Sequence, residues 1–189
     1  IGFKYEGDNF AASGEIFRQR VDNTQVVDAG SATRYSYLDT VESTGYALRV
    51  AYFWDEITAN LGVSETKPEL GNEPLGSGEM GVGTAYGRTW TTGLEYSPTF
   101  NVTMGWNARF VEELDFVQDG QDDKAGYGVH DVYVQWTPTD RMKVGLAVSN
   151  LFDKYYYDQG TFYSQSNTSD PIGLAEPGRD VRVSFSYEF

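Results

Sequence analysis

Cysteine is absent from these 189 residues, so neither a disulfide framework nor a thiolate metal site can form. Histidine occurs once, at position 130, which leaves little for base catalysis or for a metal site that needs a second imidazole. Long apolar runs are missing too. The longest is Val50 to Trp54, far short of the roughly 18 residues that a membrane-spanning helix requires. Positive charge is scarce, with 14 Lys and Arg against 28 Asp and Glu, a net charge of -14 and a mean hydropathy of -0.47. These values read as soluble, yet a membrane β-barrel passes the same test, because only every second residue of its strands meets lipid. The chain starts at Ile1 with neither an initiator Met nor a signal peptide, so a processed, trimmed or partial chain is expected.

Aromatics are abundant: 14 Tyr, 11 Phe and 4 Trp make up 15% of the chain. The last nine residues alternate strictly. Val181, Val183, Phe185, Tyr187 and Phe189 share one face of a strand, and Arg182, Ser184, Ser186 and Glu188 share the other. Period-two segments of this kind predict an all-β chain of about nine strands, near residues 1-6, 10-25, 44-54, 57-67, 88-96, 100-113, 127-137, 142-157 and 179-189. Their connections alternate in length. Gly7-Asn9, Asp55-Glu56, Ser97-Thr99 and Pro138-Arg141 are tight turns, whereas 26-43, 68-87, 114-126 and 158-178 are long and rich in Gly, Asp, Ser and Asn. Short turns at one end and long loops at the other are the signature of a transmembrane antiparallel β-barrel. A β-sandwich would mix the two.

Parity tests this reading, since a Lys or Arg facing mid-membrane lipid costs about 2-4 kcal/mol. Val144, Leu146 and Val148 oppose Lys143, Gly145 and Ala147; Val132, Val134 and Trp136 oppose Asp131, Tyr133 and Gln135. Val102, Met104, Trp106 and Phe110 oppose Asn101, Thr103 and Arg109, and Tyr46, Leu48, Val50 and Tyr52 oppose Arg49. Arg49, Glu95, Arg109 and Lys143 therefore fall on the lumen side, where Glu15 and Glu95 are expected to pair with Arg49 and Arg109. Two interfacial girdles are expected: Tyr5, Phe10, Tyr52, Trp54, Tyr96, Phe100, Trp136, Tyr187 and Phe189 at the turns, and Tyr46, Trp90, Phe110, Tyr127 and Tyr155 at the loops. Nine strands is an odd count, whereas bacterial single-chain barrels are even, which predicts further strands upstream.

The segment Asn150-Leu151-Phe152-Asp153-Lys154-Tyr155, followed after a long loop by Gly178-Arg179 and the terminal strand, closely resembles the C-terminal end of TonB-dependent receptors. The resemblance implies a 22-stranded outer-membrane barrel with an N-terminal plug domain. Residues 1-189 would then be the last two-fifths or so of its wall, with the plug and the TonB box outside this sequence. Within that family, Gly126-Tyr133 ahead of Trp136-Pro138, Tyr86-Leu94 and Glu176-Val181 resemble haem-acquisition receptors. The FRAP-like and NPNL-like motifs usual around the loop histidine of such receptors, which normally lie upstream, are absent.

The resemblance implies a TonB-dependent transporter for an iron source, haem or haem from a hemoprotein, in the outer membrane of a Gram-negative bacterium. A siderophore or vitamin receptor of the same fold, and a small self-contained pore, adhesin or enzyme barrel, are the alternatives. Expected partners are outer-membrane lipid, TonB through the plug, the barrel-assembly machinery, which would read Tyr187 and Phe189, and a hemoprotein; nucleic acid is not expected. Haem or a ferric siderophore would be cargo, with no intrinsic cofactor, no metal site and no enzymatic activity expected.

Individual candidates are weighed on the same terms. His130 is the residue type of an axial haem ligand, but its parity groups it with Val132 and Val134 on the lipid side. Tyr156, Tyr157 and Tyr163 are candidate ligand contacts, since aromatic anchors dominate recognition; girdle and ordinary loop aromatics are the competing reading. Asp115, Asp119, Asp122 and Asp123 lack the spacing of an EF-hand and read as a solvated loop tip. Asn167-Thr168-Ser169 fits a glycosylation sequon, a chance match in a bacterial protein.

Overall fold

Alternation of apolar and polar side chains yields strands throughout. The computed structural model describes residues 1-27, 36-75, 85-120, 122-164 and 172-189, and no helix occurs among them. The strands are β1 (Gly2–Glu6), β2 (Phe10–Val27), β3 (Ser36–Trp54), β4 (Ile57–Leu70), β5 (Glu73–Pro74), β6 (Tyr86–Thr99), β7 (Val102–Val111), β8 (Tyr127–Thr139), β9 (Met142–Ser149), β10 (Tyr157–Ser164), β11 (Ile172–Ala175) and β12 (Asp180–Tyr187). Nine of them form one antiparallel meander in the order β1-β2-β3-β4-β6-β7-β8-β9-β12. The short β5 is appended to β4, and β10 and β11 form a separate hairpin. These nine correspond to the nine expected from the sequence. The four tight turns expected from the sequence lie at one end of the sheet and the long connections at the other, where a two-residue turn at Gly71-Asn72 also joins β4 to β5.

Cross-strand register fixes the two faces. One row runs Phe10, Tyr52, Ala59, Leu94, Trp106, Val132, Val148 and Val181 across eight strands. The opposite face carries Ser13, Arg49, Gly62, Thr91, Arg109 and Val129 in one row. Its next rows place Glu95 beside Gly105 and Tyr133, and Lys143 beside Ser186. On the apolar face Leu146, Phe185 and Val183 are 44%, 66% and 76% exposed. A protein in water would cover such a surface with a second layer; here the bilayer covers it, and the sheet is a section of transmembrane barrel wall.

Buried apolar side chains collect instead at the long-loop end, where Leu70 and Leu75 pack with Val41, and Val111, Leu114 and Tyr127 lie close by in the chain and the sheet. The 18 and 19 residues of β2 and β3 extend about 60 Å. Even tilted by roughly 40° they overshoot a hydrocarbon layer of about 30 Å.

Three boundaries differ from the sequence reading. The stretch 26-43 was expected as loop, but β2 runs to Val27 and β3 begins at Ser36, with Arg18 hydrogen-bonded to Glu42 at 2.9 Å and a bulge beside Asn23 at φ 58°. In water a hairpin needs only its ladder and cross-strand pairs, so the apolar alternation that marks lipid contact stops before the strands do. The strand expected over 142-157 ends at Ser149, because Asn150 and Asp153 adopt φ of 49° and 54° and turn the chain away. The loop expected over 158-178 contains the β10-β11 hairpin.

Tyr127 is the fourth correction. Expected in the outer girdle, it pairs with Val111, one residue out of step with the Phe110-Gly128 pair, so it faces the lumen and is buried.

Candidate functional site at the outer mouth

The Asn150-Tyr155 turn is the first feature above β9. Asn150 is 4% exposed, and its N–H donates to Asp131 Oδ1 at 2.8 Å. Its side chain closes the turn: Nδ2 donates to the carbonyls of Lys154 at 2.9 Å and Pro177 at 3.3 Å, and Oδ1 accepts the Lys154 N–H at 2.8 Å. An asparagine suits this place because it tolerates the left-handed conformation and offers both a donor and an acceptor. Leu151 N–H donates to the His130 carbonyl at 2.7 Å. Asp153 Oδ1 accepts the Arg179 N–H at 2.8 Å, and Arg179 Nη1 reaches the Leu151 carbonyl at 3.5 Å. The two halves of the motif thus form a clamp between the end of β9 and the start of β12.

Beyond the clamp the chain re-enters the lumen side of the wall. Gln159, 3% exposed, accepts the Gly87 N–H at 2.8 Å and donates to the carbonyls of Glu112, Lys124 and Ala125 at 2.9, 3.1 and 3.2 Å. Burying an amide is costly unless it is bonded, and this one is bonded at both ends. Its neighbour Asp158 accepts from Tyr127 Oη at 2.6 Å, Tyr86 Oη at 2.8 Å, the Gly160 N–H at 2.8 Å and Arg109 Nη1 at 3.3 Å. The Arg109 guanidinium lies 5.4 Å from the Tyr86 ring centroid and 5.6 Å from that of Tyr127, a double cation–π arrangement. Tyr156 packs on Tyr127 with centroids 4.4 Å apart. Gly160 leaves no room for a Cβ against the Tyr86 side chain, so glycine sets how closely the hairpin approaches.

Asp158 sits below the ordinary carboxylate range. Burial alone would raise it, but hydrogen bonds from Tyr127, the Gly160 N–H and Tyr86, with the charge of Arg109, outweigh that effect.

The sequence candidates are distributed among several places. Tyr156 belongs to the lumen cluster. Tyr155 and Tyr157 form a separate pair, their hydroxyls 2.8 Å apart and both side chains exposed. Tyr163 is in β10, and its side chain lies outside the described residues, as does Asn167-Ser169. His130 pairs with Ala108 on the apolar face, accepts from Trp106 Nε1 at 3.2 Å and contacts the rings of Phe110 and Phe152. It therefore points into the outer girdle, as its parity indicated. Leu114 and Lys124 bridge the base of the acidic loop that holds Asp115, Asp119, Asp122 and Asp123. Tyr187 and Phe189 pack edge to face at 5.3 Å at the short-turn end, and Phe189 is fully exposed.

The expected charge ladder is wired differently. Glu95 accepts from Tyr133 Oη at 2.6 Å, and Arg109 is drawn upward to Asp158. The Tyr133 ring occupies the space that Gly105 leaves open on the neighbouring strand, which brings its hydroxyl to the carboxylate. Sequence reasoning missed Tyr86, Asp158 and Gln159. Asp158-Gln159-Gly160 has the composition of an ordinary polar loop, so no local signal marked it.

The family model described as "TonB dependent receptor-like, beta-barrel" matches residues 1–151. The chain is 23% identical over its whole length to the "Heme transporter BhuA" of Brucella abortus, of which it spans 29%. It is 30% identical over 56% of its length to the "TonB-dependent heme receptor A" of Haemophilus influenzae, spanning 16% of that protein. Among solved structures, "The FrpB iron transporter from Neisseria meningitidis" (F3-3 variant) superposes with a TM-score of 0.80 at 31% identity, covering 100% of this chain and 30% of that one.

Proposed function

This chain belongs to the TonB-dependent receptor β-barrel family, and from that premise we propose that it forms the wall and outer mouth of a receptor importing an iron source, haem first. The observation that carries the reading is the outer mouth itself. There β6, β7, β8 and the β10-β11 hairpin gather three tyrosines and an arginine on the lumen face, which is where cargo would enter. Such a surface offers the half-buried rings of Tyr86 and Tyr156 to a flat apolar ligand and the exposed Arg109 to an acidic one. Similarity to a haem transporter along the whole chain supports haem over other cargo.

In the proposed cycle, the outer loops capture cargo, TonB acts on the plug domain, and displacement of the plug opens the lumen. Below the mouth, the role of the wall strands is passive. Their polar inner face, including Arg49, Glu95 and Lys143, gives the plug a wet wall to slide against, while the outer face holds the barrel in the outer membrane. His130 faces away from the lumen, and of the tyrosine candidates Tyr156 is the one packed into the lumen cluster.

The test is titration of the purified full-length receptor in detergent with haemin and, separately, with ferric siderophores. A Soret shift with haemin, and transport lost on deleting TonB, is the expected result. Binding of a siderophore without any Soret change would replace haem with the siderophore reading.

A further inference from the structure

The Asp158 carboxylate is held as a bound ligand would be. Tyr86 Oη, Tyr127 Oη and Arg109 Nη1, which donate to it, belong to wall strands fixed by the sheet, and the Gly160 N–H that also donates belongs to the hairpin. The wall donors reach both carboxylate oxygens, Tyr86 at Oδ1 and Tyr127 with Arg109 at Oδ2. Arg109 is held between two aromatic rings, so its position does not depend on Asp158 alone. Its side chain remains 43% exposed while that of Asp158 is 13% exposed, so the cation is open to the lumen even with the hairpin docked.

Resting on the iron-import reading above, we propose that Tyr86, Arg109 and Tyr127 form a carboxylate-recognition site, occupied by Asp158 in the empty receptor and taken over by a carboxylate of the incoming iron chelate. Exchanging one carboxylate for another preserves the charge balance beside Arg109, and the released Asp158 gains water in place of its donors. Gln159 has its own anchors on Gly87, Glu112, Lys124 and Ala125, so the hairpin shifts locally without leaving the wall. Cargo recognition and movement of the mouth are thereby one event. A haem propionate and the carboxylate of a ferric hydroxy acid share the required chemistry.

Two experiments on the full-length receptor in detergent test this. In the first, Asp158→Ala raises hydrogen exchange of the amides around 157-160, acetate restores protection, and acetamide or chloride at equal concentration does not. Adding Arg109→Gln abolishes the rescue. In the second, wild-type receptor binds haemin more tightly than haemin dimethyl ester, and Asp158→Ala tightens haemin by about tenfold while leaving the ester unchanged. Ferric citrate against a carboxylate-free ferric hydroxamate makes the same comparison for the other source. The proposal is overturned if acetate gives no rescue, or if Asp158→Ala weakens acid and ester alike, as loss of a purely structural latch would. Should no iron compound bind the wild type, the iron reading fails, and the acetate experiment still decides the carboxylate site.

Discussion

Gly178 stands against Asp153: a Cβ at position 178 would lie 2.7 Å from Asp153 Oδ1, the same oxygen that accepts the Arg179 N–H. The two halves of the motif, 25 residues apart in sequence, therefore meet at one carboxylate.

Gly178→Ala should push that carboxylate off the Arg179 amide and cost about 1–2 kcal/mol, read as a lower urea midpoint for the full-length barrel in micelles. Asp153→Ala removes the obstacle, so the double variant should be no less stable than Asp153→Ala alone. Fully additive losses would show that the contact does not govern this position.

Leu48 and Ala47 are neighbours on opposite faces, Leu48 opposite Gly14 and Val63, Ala47 opposite Glu15 and Ser64. Leu48→Arg should cost about 2–4 kcal/mol in folding into bilayers. Ala47→Arg meets Glu15 in the aqueous lumen and should cost well under 1 kcal/mol. Equal costs would mean that the face assignment is wrong.

Phe189 is fully exposed at the short-turn end and packs on Tyr187. Phe189→Ala should reduce the yield of heat-modifiable barrel in the outer membrane while leaving the ligand affinity of the assembled fraction unchanged. An unchanged yield would separate this residue from assembly.

Acid should release the hairpin. Because the Asp158 carboxyl is lowered in the folded state, its contribution is complete above the unfolded value of about 3.9 and disappears as pH falls through the lower folded value. Hydrogen exchange of residues 157-160, corrected for its intrinsic pH dependence, should stay constant from neutral pH to roughly pH 4 and rise below it. Asp158→Asn should flatten that transition, and a wild-type profile without an acid limb would contradict the assignment.

What was legible in the sequence, and what was not, follows from the range of the interactions. Wall strands such as β9 and β12 announce themselves because lipid contact imposes period two on consecutive residues, a purely local pattern. The Asn150-Tyr155 turn was visible as a motif, and only the structure gave it a mechanical role, through bonds to Asp131, Pro177 and Arg179. Tyr127 was misplaced because an aromatic beside a long loop was assigned to the girdle, although strict alternation through Val129 and Asp131 puts it on the lumen face. Asp158 was unreadable for a different reason: its partners lie 72, 49 and 31 residues away, on three strands brought together by the meander. The first part of β3, Ser36 to Ser43, escaped because a strand standing in water carries no lipid-facing stripe.

The sheet has two borders, β1 and β12, which pair on one side only among the described residues. Each presents a row of backbone donors and acceptors to any extended segment that arrives. Residues 1-189 produced by themselves would consequently find each other, edge to edge, before finding a micelle. Antigen or seeding preparations made from this stretch would gather into ribbons unless both margins were blocked by proline or lysine, or joined to a neighbouring stave.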